Sequence, residues 1–197
     1  MQAGVIAVQG DVAEHAEAVR NAAAAHDEPV DVVEIRDAGL VPDCDALLVP
    51  GGESTTISRL LHREGIAAEI RDHVAAGKPV LATCAGLIVC ARDAKDDRVD
   101  PLGLVDVSVD RNAFGRQKDS FEAALSVDGL VDPFHAVFIR APLIDDVGPD
   151  VEVLAAVDGR PVAVRDGPVL ATAFHPELTD DSRIHDLAFF PEREVVA

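Results

Sequence analysis

Short runs rich in Val, Ile and Leu recur at residues 4–8, 31–35, 46–49 and 79–83, with helix-like stretches between most of them. Runs this short and this apolar suit strands buried on both faces. Strands separated by helices pair in parallel, and the helices cover the sheet. This alternation constrains the fold to an α/β layered architecture. After Asp11, the residues Val12, His15, Ala16 and Val19 fall on one helical face, with Glu14, Glu17 and Arg20 elsewhere. The next helix is expected to take Ser54 or Thr55 as its cap and to carry Ile57, Leu60 and Leu61 as its apolar stripe. From Val105 onward strands outnumber helices, at 105–109, 121–127, 137–139, 151–157, 161–164 and 169–174. Asp128-Gly129, Asp158-Gly159 and Asp166-Gly167 supply turns between several of them. The later strands suggest antiparallel hairpins attached to the sheet, and a final helix is expected from about Asp180 to Phe190. No repeat is visible, and 197 residues are most economically one domain over 1–197.

Charge narrows the partners. Asp and Glu number 36 against 17 Lys and Arg, a net charge of −19, which disfavours nucleic acid and anionic membrane. Only Lys78, Lys95 and Lys118 are lysines, and the acidic surface reads as one adapted to high salt, because such charge repels itself unless screened. The longest charge-free stretch, 79–91, is well short of the roughly 20 residues that span a bilayer. With no signal-like leader, the chain is expected to be cytoplasmic. Three cysteines without a CxxC pair argue against a disulfide framework and a zinc site, and the other histidines show no ligand spacing.

Cys84 sits where the apolar run ending at Thr83 meets the small-residue turn Ala85-Gly86 and then a helix-like stretch. That is the pattern of a nucleophile elbow, in which a sharp strand-to-helix turn pushes one side chain out above the sheet. A helix beginning at Ala85 aims its free N–H groups at the sulfur. Taken alone, the residue also reads as a buried small hydrophobe. His175-Pro176-Glu177 follows another strand. Proline pushes His175 into an extended conformation, where residues i and i+2 share a side, so His175 and Glu177 can stand together at a strand end. Ligands in such sheets bind at the strands' carboxyl ends. Cys84 as nucleophile, His175 as general base and Glu177 as the group orienting the imidazole is the functional reading; a merely polar strand end is the bland one. Pro50-Gly51-Gly52-Glu53-Ser54-Thr55-Thr56 lies at a third strand end. Its double glycine can turn N–H groups into a cleft, as an oxyanion site requires, or can serve an ordinary tight turn. It lacks a phosphate-loop ending. Arg111 and Arg140 are candidates to hold a substrate carboxylate, or to pair with surface acids.

With these elements placed, the chain resembles the class I glutamine amidotransferases, and within them the glutaminase family of pyridoxal 5′-phosphate synthase called PdxT or SNO. The marks are Val8-Gln9-Gly10, the Gly51-Gly52-Glu53-Ser54-Thr55 segment, Thr83-Cys84-Ala85-Gly86-Leu87, Arg111-Asn112-Ala113-Phe114-Gly115-Arg116-Gln117, Phe138-Ile139-Arg140-Ala141-Pro142 and Phe174-His175-Pro176-Glu177-Leu178-Thr179. The resemblance implies a flavodoxin-like three-layer α/β/α sandwich with a mostly parallel central sheet. It implies Cys84, His175 and Glu177 as the triad, and glutamine bound by Gly51, Gly52, Glu53, Arg111, Ile139 and Arg140. Backbone N–H groups near Gly52 and Ala85 would form the oxyanion hole, with Gln9 organising it near a partner interface. No metal or cofactor is implied. The implied reaction is hydrolysis of L-glutamine to glutamate and ammonia, with ammonia passing to a barrel-shaped synthase subunit. Ala82 stands where the superfamily commonly has Gly. The competing readings are a glutaminase serving another synthase and a binding subunit of the same fold without turnover.

Overall fold

The computed structural model describes residues 1–111 and 120–190. The first half alternates as the sequence predicts: β1 (Gln2–Ile6), α1 (Val12–Ala25), β2 (Asp31–Ile35), β3 (Ala46–Val49), α2 (Ser54–Arg63), α3 (Ile66–Ala75), β4 (Val80–Thr83) and α4 (Ala85–Cys90). The second half is strand-rich: β5 (Ala91–Asp93), β6 (Val105–Asp110), β7 (Phe121–Leu125), β8 (Phe134–Phe138), β9 (Leu143–Val147), β10 (Glu152–Val157), β11 (Arg160–Asp166) and β12 (Val169–Thr172), followed by α5 (Arg183–Phe189).

The main sheet has seven strands in the order β10-β11-β12-β4-β3-β1-β2. Five of them, from β12 to β2, pair in parallel, and β10 and β11 extend the edge antiparallel. The parallel part is the parallel sheet read from the apolar runs, in the flavodoxin-like arrangement that the family resemblance implies. β3 and β4 are buried at every residue, which is why their sequences run apolar without alternation. Ala82, fully buried, lies between Val49 and Ala171 on the flanking strands, so its extra methyl is part of the packed sheet.

Several boundaries differ from expectation for identifiable reasons. β1 begins at Gln2, two residues early, because its ladder to β2 starts there. Of the later strands, β10, β11 and β12 join the main sheet, while β7–β8 and β5-β6-β9 form separate small sheets. β5 and β9 were not expected: one is three residues long and the other carries two consecutive acids, Asp145 and Asp146. The last hairpin turns on Gly167-Pro168 instead of Asp166-Gly167, since Asp166 still pairs with Val169. The cap of α2 is Glu53, whose side chain accepts from the backbone N–H of Thr55 and Thr56, rather than Ser54 or Thr55. Leu60 in the expected stripe is only half-buried, and Ser58 is buried instead. α5 starts at Arg183 instead of about Asp180. Among the described residues no helix is long and apolar enough to cross a membrane.

Candidate active site

Four strand ends converge. Cys84 follows β4, Gly51 and Gly52 follow β3, Gln9 and Gly10 follow β1, and His175 lies just beyond β12. The Cys84 N–H donates to the carbonyl of Thr172 at 2.8 Å, tying the β4 end to the β12 end. Cys84 itself has φ 50° and ψ −105°, a left-handed conformation that a side chain resists; the elbow is held by its surroundings. Those surroundings require glycine at two places. A Cβ on Gly86 would collide with the carbonyl oxygen of Val49, and a Cβ on Gly51 would lie 2.7 Å from His175 Cε1 and 3.4 Å from Cys84 Cβ. The β3 end is therefore in contact with both the sulfur-bearing residue and the imidazole.

The His175 ring is buried and bridges two partners. Its Nδ1 is 2.7 Å from Glu177 Oε1, and Cys84 lies on its other side, both side chains approaching Gly51. With Nδ1 engaged by the carboxylate, Nε2 is the nitrogen left for the sulfur. Burial alone would depress the imidazole. The bonds and charges of Cys84 and Glu177 outweigh it, and the group is pushed up to about 10. Burial raises the Glu177 carboxyl, while the bond from His175 opposes that shift. His175 and Glu177 do not lie in one extended segment as expected: Pro176–Leu178 forms a 3₁₀ turn, and the turn itself swings Glu177 back under the ring. Asp11 Oδ2 is 3.7 Å from the same Nδ1. Asp11, His175 and Glu177 offer ligand atoms within 4.8 Å of one another. A cation held there would compete for the nitrogen already bonded to Glu177.

The remaining predicted residues divide in two. Gln9 accepts from the Glu53 N–H through Oε1 at 2.9 Å and lies against Gly52, so it braces the Gly51-Gly52-Glu53 turn. The Cys84 Sγ is 4.0 Å from the Ile139 carbonyl, and Ala85 is the first residue of α4. These gather around the sulfur. Arg111 and Glu53 form a second, charged group. Arg111 donates to Ser54 Oγ at 3.1 Å, to Asp96 Oδ2 at 3.2 Å and to Glu53 Oε1 at 3.3 Å. Burial would raise the Glu53 carboxyl, but its bonds to Thr55 and Thr56 hold it at about 2. Asp96, beside Arg98 and Arg111, is held far below the usual carboxylate range by hydrogen bonds from Arg98. Arg140 is exposed, has φ 46° and makes no ion pair among the described residues. The motif residues Asn112, Ala113, Phe114, Gly115, Arg116 and Gln117 lie outside the described residues.

Asp96, which carries no motif, and the buried pair His15 and His185, among the histidines without ligand spacing, were not expected at the site. His15 was placed on the buried face of its helix, and a histidine on an apolar face was the available signal.

Residues 5–195 match the family described as the SNO glutamine amidotransferase family. The chain is 85% identical over 197 residues to the pyridoxal 5′-phosphate synthase subunit PdxT of Halorubrum lacusprofundi, covering 100% of both chains. It is 74% identical over 194 residues to the same-named subunit of Haloarcula marismortui, covering 98% of each. A solved structure described as a glutamine amidotransferase superposes with a TM-score of 0.86 at 44% identity, covering 94% of this chain and 96% of that one.

Proposed function

The chain belongs to the SNO glutamine amidotransferase family, and from that premise we propose how its strand-end site works. It is the glutaminase subunit of a pyridoxal 5′-phosphate synthase, releasing ammonia from L-glutamine. Cys84 is the nucleophile, His175 the general base and acid, and Glu177 the carboxylate that orients the imidazole. The observation that carries this reading is the buried Cys84–His175–Glu177 series at a strained elbow, with Gly51 packed against two of its three members.

The chemistry follows from those positions. His175 Nε2 holds the proton given up by the thiol, as the imidazolium its two partners favour, and Cys84 Sγ attacks the side-chain amide carbon of glutamine. The tetrahedral oxyanion forms beside the backbone N–H groups of Gly52 and Ala85, and Gln9 braces the first of these through Glu53. His175 returns the proton to the departing ammonia, leaving a γ-glutamyl thioester. The same ring then takes a proton from water to release glutamate. Arg111, already set among carboxylates, receives the α-carboxylate with Arg140, while Glu53 and the Ile139 backbone complete the pocket. No step calls for a metal or cofactor.

Ammonia protonates in water at neutral pH and stops being a nucleophile, which favours direct transfer to a synthase barrel subunit. That subunit is the proposed partner, with Gln9 at the contact. One domain over 1–197, a cytoplasmic site of action and no nucleic-acid or membrane partner belong to the same reading; the free thiols of Cys44, Cys84 and Cys90 suit a reducing compartment. The test is ammonia release with and without a pyridoxal 5′-phosphate synthase barrel subunit, beside Cys84→Ala. Release that rises with the barrel subunit and falls by about four orders of magnitude in Cys84→Ala is expected. Unchanged release in Cys84→Ala overturns the mechanism, and indifference to the barrel points to another partner.

A further inference from the structure

Behind Glu177 a line of buried polar side chains continues away from Cys84, and the mechanism above leaves it unused. His15 on α1 has Nε2 3.0 Å from Thr83 Oγ1 and 3.4 Å from Glu177 Oε2. Its Nδ1 is 3.2 Å from His185 Nε2 on α5. His15, Thr83 and His185 are all fully buried, as is the Glu177 side chain. Two atoms along the line have no hydrogen-bond partner among the described residues: Glu177 Oε2 and His185 Nδ1. A group of this kind is costly to maintain, since each buried polar atom left unmatched carries a desolvation penalty.

The proton positions follow from those two atoms. Burial, with the neighbouring His185 and His175, holds His15 well below the ordinary histidine value, and burial takes His185 to about 3. Both rings are neutral near pH 7, so each carries one N–H. If His15 kept its hydrogen on Nδ1, its Nε2 lone pair would face the Glu177 carboxylate, and His185 would be left with a buried, unmatched N–H at Nδ1. If His15 carries it on Nε2, that N–H points at Thr83 and Glu177, His185 Nε2–H donates to His15 Nδ1, and only a lone pair is left over at His185 Nδ1. The second arrangement removes a like-charge clash and an orphan donor together.

We propose that His15 is a positioning residue for the reaction: its Nε2–H turns to Glu177 Oε2 and fixes the carboxylate with Oε1 on His175, while His185 locks the tautomer of His15. The claim rests on the reading of Cys84, His175 and Glu177 given above. A small move from 3.4 Å brings His15 Nε2 and Glu177 Oε2 into full hydrogen-bond contact. The groups facing Glu177 are His175 from its own turn and His15 and Asp11 at the start of α1; Thr83 at the end of β4 and His185 reach it only through His15. Without the His15 donor the carboxylate takes up a proton at higher pH, so the acid limb of activity moves upward.

Two polar replacements test this in the full chain, under conditions where the unmodified chain turns over glutamine. A Gln side chain can bring an amide N–H to the position of Nε2; an Asn reaches only the position of Nδ1. His15→Gln is expected to stay within about threefold of the unmodified kcat, and His15→Asn to lose about ten- to hundredfold with KM unchanged and its acid limb at higher pH. Equal activity of the two, or equal loss with the acid limb unmoved, overturns the proposal. Should His15→Asn not fold, His185→Leu gives the second measurement: a smaller upward move of the same limb is expected, and an unmoved limb contradicts the proposal. Cys84→Ala separates the two claims. Persistent ammonia release in Cys84→Ala brings down the reading beneath, whereas loss there with His15→Gln and His15→Asn alike brings down only the role of His15.

Discussion

On the Cys84 side of the site, position is set by close approach in the interior. The Gly86 backbone lies under the Val49 carbonyl, Gly51 lies under the His175 ring, and the Cys84 N–H is bonded to Thr172. On the Arg111 side, position is set by charge. Arg111 sits among Glu53, Asp96 and Ser54, and the Glu53 side chain is 43% exposed. The buried side has one arrangement, because moving any member creates a collision or an unmatched buried group. The charged side can exchange partners, since bonds between part-exposed ions are weak and replaceable. A nucleophile needs the first property, and a pocket that must admit and release a charged amino acid needs the second.

Gly86→Ala attacks the buried side most directly. The added methyl meets backbone that cannot turn aside, and a loss of about 2–4 kcal/mol is expected, or roughly 5–15 °C in melting temperature. A melt within a degree or two of the unmodified chain would show that the β3 and β4 ends are not held as tightly as described.

The pH dependence of stability is the next largest effect. His175 is raised to about 10 in the folded chain against about 6.5 when unfolded, so its contribution is fully present below about pH 6.5 and is lost as pH rises through about 10. The contribution is on the order of a few kcal/mol. Melting temperatures of the unmodified chain and of His175→Gln, followed from pH 6 to 10.5, should converge toward the alkaline end. Cys84→Ala should narrow the gap by removing the sulfur's share, leaving that of Glu177. Parallel curves would contradict the assignment of His175 as the cation between two partners.

On the charged side the effects are smaller. Glu53→Gln keeps a capping oxygen but loses the charge at the start of α2, and a cost of about 0.5–1 kcal/mol is expected at low salt. In molar salt that difference should shrink, while the chain as a whole melts higher, because screening relieves a net charge of −19. The PdxT relatives from Halorubrum lacusprofundi and Haloarcula marismortui fit such a surface. A melting temperature that falls with salt would contradict the high-salt reading.

The legibility of the sequence follows the same division. Strands buried on both faces announce themselves as apolar runs, so β2, β3 and β4 could be read within a residue or two, along with the elbow at Cys84. What depends on pairing across the chain could not. β5 and β9 have no pattern of their own, and their strand character comes from lying beside β6. Glu53 as the cap of α2 was hidden because Ser54 and Thr55, the more usual caps, stand next to it. Nothing in the spacing connects His15 with His185, 170 positions apart, or brings Asp96 to Arg111. Conversely, His-Pro-Glu brought His175 and Glu177 together by a route other than the extended one expected.

The most direct test of the central claim is to trap the intermediate. Rapid acid quench of the chain turning over glutamine, followed by peptide mass spectrometry, should find a γ-glutamyl group on the peptide containing Cys84. The adduct should be absent from Cys84→Ala and should disappear when the quenched peptide is treated with hydroxylamine, which cleaves thioesters. Full turnover with no adduct on Cys84, or an adduct on Cys44 or Cys90 instead, would contradict the account.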